Sequence, residues 1–146
     1  MKTVLVVDAA DDIRLLLRLE LAAAGYDVVT ASDGTEARDR ITSLRPDVVL
    51  LDVLLPEVDG WTLLRELPEP KPAIIVITGL VTDRDAQYRR AVELGALGYV
   101  SKPFDSEQLT QLVHTAATLD ADERAAFRDW LLAGGAVGGS LAPDGD

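Results

Sequence analysis

The chain has 146 residues, a length that suits one domain able to bury a core without disulfides or a structural metal. Its 25 acidic and 14 basic residues leave a net charge of -11, which argues against a nucleic acid partner because polyanion binding requires a basic patch. The absence of cysteine excludes thiolate metal sites, and no run approaches the roughly 20 apolar residues of a membrane span, so we expect a cytoplasmic chain without membrane contact.

Short apolar runs alternate with helical patterns along the first 118 residues. The runs predict strands at residues 4–7, 26–31, 48–51, 73–77 and 97–100. Apolar spacing and capping residues predict helices at residues 11–24, 33–44, 61–67, 82–94 and 105–118. Alternating strands and helices favour right-handed crossovers and a doubly wound parallel sheet, an α/β fold, although periodicity does not reveal the strand order.

Asp52 ends the third apolar run, which Asp47 precedes and Pro56 follows. A carboxylate is costly inside an apolar strand, so its economical position is the carboxyl end, where open parallel sheets bind ligands. Asp52 is therefore a candidate reactive group. The alternative is that it only caps the following loop.

Four polar residues follow predicted strands that open on the same edge of such a sheet: Asp8, Asp52, Thr78 and Lys102. Carboxylates suit a hard cation such as Mg²⁺, while lysine and threonine contact phosphate oxygens. The pattern favours a phosphoryl-binding pocket over the competing interpretation, an ion-pair network without chemistry.

Several motifs, in order and at regular spacing, resemble the receiver domain of two-component response regulators over about residues 3–118. They are Asp8 after Val-Leu-Val-Val, the run from Gly25 to Ala37, Asp52 with Pro56 and Asp59-Gly60, Thr78-Gly79, and the run from Gly95 to Phe104 that contains Lys102.

The resemblance implies a CheY-like, flavodoxin-like five-stranded sheet of order 2-1-3-4-5. It implies that Asp52 takes a phosphoryl group from a histidine kinase or phosphotransfer protein and that Lys102 pairs with the phosphorylated side chain. Thr78 would bind a phosphoryl oxygen and move with Tyr99 as the switch, with the fourth helix, fifth strand and fifth helix as the readout face for an unidentified downstream protein. The chain itself is expected not to be an enzyme, because it has no separate substrate.

One position departs from the family pattern. Receivers normally carry two adjacent acids after the first strand, the second of which binds Mg²⁺, whereas this chain has Asp8 followed by Ala9. The metal would keep Asp8, Asp52, the backbone carbonyl of Leu54 and waters, so we expect a weakened Mg²⁺ site. Asp11 and Asp12 lie near in sequence, but we expect them to cap the helix.

Two leucines bear on the lifetime of a phosphoryl group. In the family, the residues two after Asp52 and two after Thr78 flank the path of hydrolytic water, and here they are Leu54 and Leu80. Apolar groups cannot orient water, so the phosphoryl group should persist. Alternatively, both leucines only cover the pocket rim or form a docking patch.

The segment after the receiver pattern, residues 119–146, predicts one more helix at about residues 120–133 and a mobile, glycine-rich acidic tail. Asp120 and Glu123 suggest a capping box, and Phe127, Trp130 and Leu131 form an apolar edge. This helix would fold back on the receiver, pair with a second copy as a homodimer, or dock on a partner. No output domain fits in the remaining length, so we expect a single-domain regulator.

Three functions follow from the residues. The first is a phosphorylation-controlled switch that signals through protein contacts. The second is a pseudo-receiver, an interaction or dimerisation module whose pocket no longer reacts, which the residue Ala9 favours. A metal-dependent phosphohydrolase fits less well, because it would need an acid at the position of Leu54.

Overall fold

The computed structural model describes residues 1–79 and 84–134. The strands are β1 (Thr3–Val7), β2 (Asp27–Ala31), β3 (Val48–Leu51), β4 (Ala73–Thr78) and β5 (Gly98–Ser101). The helices are α1 (Asp11–Ala23), α2 (Gly34–Leu44), α3 (Gly60–Glu66), α4 (Arg84–Glu93), α5 (Ser106–Ala117) and α6 (Ala121–Leu132). The predicted start of the fourth helix at Thr82, the residue Leu80 and the tail from 135 onward lie outside the described residues.

All neighbouring strands are parallel and form one sheet of order β2-β1-β3-β4-β5, which confirms the predicted flavodoxin-like topology. The extra C-terminal helix is also present, as α6. The central strands β3 and β4 are buried at every position, because helices cover both faces of the sheet.

Two apolar cores lie on opposite faces of the sheet. Helices α2, α3 and α4 cover one core, and α1 and α5 cover the other. Alternate residues of each strand enter alternate cores, as Leu50 and Leu51 of β3 illustrate. Full burial of one such leucine stabilises the fold by roughly 1.5–3 kcal/mol.

Side chains cap the starts of α2, α3 and α5, whereas the start of α1 has no side-chain cap. Asp33, Asp59 and Asp105 each accept a backbone N–H at the start of α2, α3 and α5. The N-cap of α1 is Ala10, which makes no side-chain cap. Asp12 accepts only the adjacent N–H of Ile13. Among the described residues, no helix is long and apolar enough to cross a membrane.

Candidate functional site

The carboxyl ends of β1, β3 and β5 bring three of the predicted residues together. Backbone pairing continues past the strand ends, from Asp52 N to Val7 O at 2.9 Å and from Lys102 N to Thr78 O at 2.9 Å. These hydrogen bonds fix the direction in which the polar side chains leave the sheet. Asp8, Asp52 and Lys102 consequently converge on one side of the edge.

Lys102 bridges the two carboxylates. Its Nζ lies 2.7 Å from Asp8 Oδ2 and 2.9 Å from Asp52 Oδ2. Asp8 is 1% exposed and Asp52 is 5% exposed, whereas the Lys102 side chain is 22% exposed and reaches the group from the solvent side. Two acids and one base leave this buried cluster with one excess negative charge.

Backbone amides hold the other carboxylate oxygens. Ala10 N donates to Asp8 Oδ1 at 2.9 Å, and Leu54 N donates to Asp52 Oδ1 at 2.9 Å. The Asp8 Oδ2 contact with Lys102 is a close ion pair without hydrogen-bond geometry, yet it is the partner of this buried oxygen. Each carboxylate is thus oriented by one amide and one ammonium, which prepares the site before any ligand enters.

Burial dominates the electrostatics of Asp52. It raises the pKa of the Asp52 carboxyl, and the charge of Asp8 adds to the increase, although the Leu54 N–H and Lys102 oppose it. Burial also opposes the charge on Lys102, but its contacts with Asp8 and Asp52 outweigh burial and raise the pKa of the ammonium. The base therefore stays protonated at neutral pH.

The raised pKa of Asp52 predicts a pH-dependent stability difference. Because the folded pKa lies above the ordinary 3.8, the contribution of Asp52 to stability is full below pH 3.8 and is lost as the pH rises through the folded pKa. Asp52→Asn should therefore raise the free energy of unfolding at pH 7, with the gain disappearing toward pH 3.8. Urea denaturation of the wild type and the variant between pH 3.8 and pH 7 measures this difference. An equal gain in the free energy of unfolding at pH 3.8 and at pH 7 would contradict a raised pKa of Asp52.

Thr78 ends β4, and Tyr99 lies on β5. Thr78 is fully buried, and its carbonyl accepts the Lys102 N–H at 2.9 Å. The Tyr99 side chain is 1% exposed and belongs to the core beneath α3 and α4. The ring already occupies the interior in this structure.

The donor set suits Mg²⁺ with fewer charged ligands than the family norm. Asp8 and Asp52 supply buried carboxylates, and the Leu54 carbonyl lies in the same loop, all oxygen donors of the kind that Mg²⁺ binds. Across residues 1–79 and 84–134, no three acidic, histidine or cysteine side chains group around a metal position. Ala9 is exposed, and Asp11 pairs with Arg14 instead.

Two further residues contribute to the site: Arg14 was not identified from the sequence, and Gly60 was named only as part of a family motif, without this role. Arg14 of α1 donates from Nη1 to Asp8 O at 2.6 Å, which ties the start of α1 to the pocket. At Gly60, an added Cβ would lie 2.4 Å from Val53 Cα and 2.7 Å from Asp52 O, so only glycine lets α3 close against this loop. An Asp-Gly pair after the loop was the available signal for Gly60. Arg14 had no such signal.

An apolar ridge on α1, the helix that follows Asp8, faces solvent. Leu15 is 58% exposed, Leu16 40% and Leu19 61%, while Leu17 and Leu21 on the opposite face are buried. The ridge begins one helical turn from Asp11, the first residue of α1. Grouped exposed leucines of this kind are typical of surfaces that bind another protein.

The comparisons with known proteins agree with this fold. The family model described as the response regulator receiver domain matches residues 4–114. The alkaline phosphatase synthesis transcriptional regulatory protein PhoP of Bacillus subtilis (strain 168) is 37% identical over 114 residues, which cover 77% of this chain and 47% of PhoP. The chain spans about half the length of the curated relatives it matches.

Solved structures show the same fold. The receiver domain of the Francisella response regulator 1452 superposes with a TM-score of 0.75 at 27% identity, covering 81% of this chain and 98% of that one. The BeF3-activated DrrB receiver domain superposes with a TM-score of 0.72 at 29% identity, covering 82% and 99%.

Proposed function

The chain belongs to the family of response regulator receiver domains, and from this premise we propose that Asp52 accepts a phosphoryl group from the phosphohistidine of a kinase or phosphotransfer protein. The observation that carries the proposal is the bridge from Lys102 Nζ to both Asp8 and Asp52, because it aims a fixed positive charge at the acceptor carboxylate. The modified protein then signals through protein contacts.

The proposed reaction moves one phosphoryl group. An oxygen of Asp52 bonds to phosphorus as the bond from phosphorus to the histidine nitrogen breaks, and the imidazole regains a proton from solvent. Negative charge spreads over the phosphoryl oxygens in the transition state, and Lys102 at 2.9 Å offsets part of it. Thr78, at the end of the adjacent strand, is the expected hydroxyl donor to the phosphoryl group.

Mg²⁺ would supply additional positive charge for the phosphoryl oxygens, as receiver domains typically use it at their acidic site. In this chain Asp8, Asp52 and the Leu54 carbonyl would hold it, with water at the position that Ala9 leaves without a carboxylate. We expect phosphorylation to require a higher Mg²⁺ concentration than in receivers that have a third acid at the position of Ala9.

Restoring the missing acid tests this ligand assignment. We expect Ala9→Asp to tighten Mg²⁺ binding about tenfold, because a third carboxylate adds a charged ligand. Isothermal titration calorimetry of the folded protein measures the change. Ala10→Asp, which adds the same charge one residue along, is the matched control and should change affinity little. Unchanged affinity in Ala9→Asp would mean that the ligands are assigned wrongly.

Leu54 should lengthen the life of the phosphoryl group. Its backbone N–H orients Asp52, and its side chain, 53% exposed, lies at the mouth of the pocket. Leu54→Asn would place a group there that can orient water, so we expect dephosphorylation to become roughly tenfold faster. The decay of the phosphorylated protein gives the rate. A decay rate equal to wild type would show that Leu54 is only a rim residue.

Phosphorylation by a small-molecule donor tests the proposed function. The full chain, incubated with acetyl phosphate and Mg²⁺, should gain one phosphoryl group by intact-protein mass spectrometry and lose it to hydroxylamine, which cleaves acyl phosphates. No gain at any Mg²⁺ concentration would contradict the proposal and leave the pseudo-receiver, an interaction or dimerisation module independent of phosphorylation.

A further inference from the structure

The C-terminal helix α6 folds back on the receiver. Leu131 is 3% exposed, and Phe127 packs on the core beneath α1 and α5. The predicted capping box is present, with Asp120 and Glu123 each bonding the backbone N–H of the other. Of the three predicted arrangements, the structure therefore has the intramolecular one, while Trp130 stays 44% exposed.

Arg124 anchors α6 at the edge of the sheet opposite to the acidic cluster. Its Nε donates to Lys71 O at 3.1 Å, and its Nη1 donates to Leu119 O at 2.8 Å. Lys71 immediately precedes the segment leading to β4, and its buried ammonium donates to Leu64 O at the end of α3. The guanidinium thus links α6 to the loop between α3 and β4.

The outer part of α6 contacts α4. Beside this contact lies a cleft of about 360 Å³, lined by Val92, Glu93 and Leu94 at the end of α4 and by Arg128 and Leu132 of α6. The contact between the two helices is thus bounded by an open cleft. Such a contact yields at lower cost than a close-packed core interface.

Helix α4 also contacts the part of the core that leads to the acidic cluster. Ala91 is buried in the same core as Tyr99, and the Arg90 guanidinium lies 4.3 Å above the Trp61 ring of α3. Tyr99 is on β5, three residues before Lys102. A shift of α4 would therefore change its contacts with both Tyr99 and α6.

We propose that α6 is a clamp on α4: docking of α6 through Arg124 and Leu131 restrains α4, and displacement of either helix loosens the other. Thermodynamic linkage makes this coupling reciprocal: the free energy by which α6 docking changes the affinity of a ligand for α4 equals the free energy by which that ligand changes the docking equilibrium of α6. The link to the phosphoryl state of Asp52 rests on the proposed function, whereas the clamp itself does not.

Hydrogen exchange followed by mass spectrometry tests the clamp in the unmodified full chain. The variant Arg124→Gln with Leu131→Ser removes both anchors, and Ala126→Ser, on the exposed side of α6, is the matched control. We expect at least tenfold faster exchange in the amides of both α6 and α4 of the anchor variant, with the central strand β1 unchanged as the internal standard of folding. Faster exchange in α6 alone would overturn the clamp, as would wild-type exchange in both helices.

A second measurement tests the link to Asp52, with beryllofluoride and Mg²⁺ as the probe. We expect exchange in α6 to change at least threefold in the wild type and to stay constant in Asp52→Asn. If α4 responds and α6 does not, the link is wrong and the proposed function stands. If no segment responds, the proposed function fails, and the anchor variant alone decides the clamp.

Discussion

Asp52→Asn should abolish phosphorylation by acetyl phosphate, with the rate falling by about a thousandfold or more. An amide lacks the nucleophilic anionic oxygen that must bond to phosphorus. Within residues 1–79 and 84–134, the other carboxylate at Lys102 is that of Asp8, which follows β1 and is therefore placed differently from Asp52 after β3. The measurement is a time course of intact mass in the presence of Mg²⁺.

The matched control for this substitution is Glu57→Gln. Glu57 is an exposed acid in the loop after β3, so its removal changes the net charge equally and leaves the cluster intact. Wild-type phosphorylation is expected for Glu57→Gln. Continued phosphorylation of Asp52→Asn at the wild-type rate would place the acceptor elsewhere and end the proposed mechanism.

The double substitution Leu15→Glu and Leu19→Glu should reduce transfer from a phosphohistidine protein by about a hundredfold in kcat/KM, yet leave phosphorylation by acetyl phosphate unchanged. The protein donor must bring its histidine to Asp52, and the exposed leucines of α1 offer an apolar surface on the helix that follows Asp8. A charge at each of these two positions would weaken the binding free energy of the protein donor by more than about 1 kcal/mol. A small-molecule donor needs no such surface.

Leu44→Glu is the control for this ridge. Leu44 is 49% exposed, comparable with the ridge leucines, but it ends α2 beside the opposite edge of the sheet. Kinetics with any histidine phosphotransfer protein that phosphorylates the wild type are suitable. If the ridge variant loses rate equally with acetyl phosphate and with the phosphotransfer protein, its pocket is damaged. If it loses rate with neither donor, the phosphotransfer protein docks elsewhere.

The fold could be predicted because its signals are local. Five short apolar runs were long enough for strands and too short for helices, and residues such as Asp33 and Asp105 marked helix starts. Boundaries differed by a residue or so; Tyr26, for example, precedes β2. The strand order came from the resemblance to receivers, since periodicity carries no information about which strands are neighbours.

The site could be predicted in part. That Asp8, Asp52 and Lys102 meet follows from the rule that parallel strands end at one edge. The bridging geometry of Lys102 did not follow, because it depends on side-chain direction. The role of Arg14 also depends on a contact that no sequence motif encodes.

The surfaces were least predictable. Helical spacing does not separate Leu16 from Leu17, yet Leu16 is 40% exposed and Leu17 is buried, because α1 covers the sheet with a narrow stripe centred on Leu17 and Leu21. The path of α6 depends on Arg124 reaching a carbonyl 53 residues away in sequence. Such distant pairings cannot be read from local pattern.

The position of the phosphoryl group is the most direct test of the central claim. After phosphorylation of the wild type, borohydride reduces an aspartyl phosphate to homoserine, and peptide sequencing by mass spectrometry then locates the altered residue. We predict homoserine at position 52 and at no other acid. Homoserine at Asp8, Asp11 or Asp12, with Asp52 intact, would contradict the assignment of the acceptor.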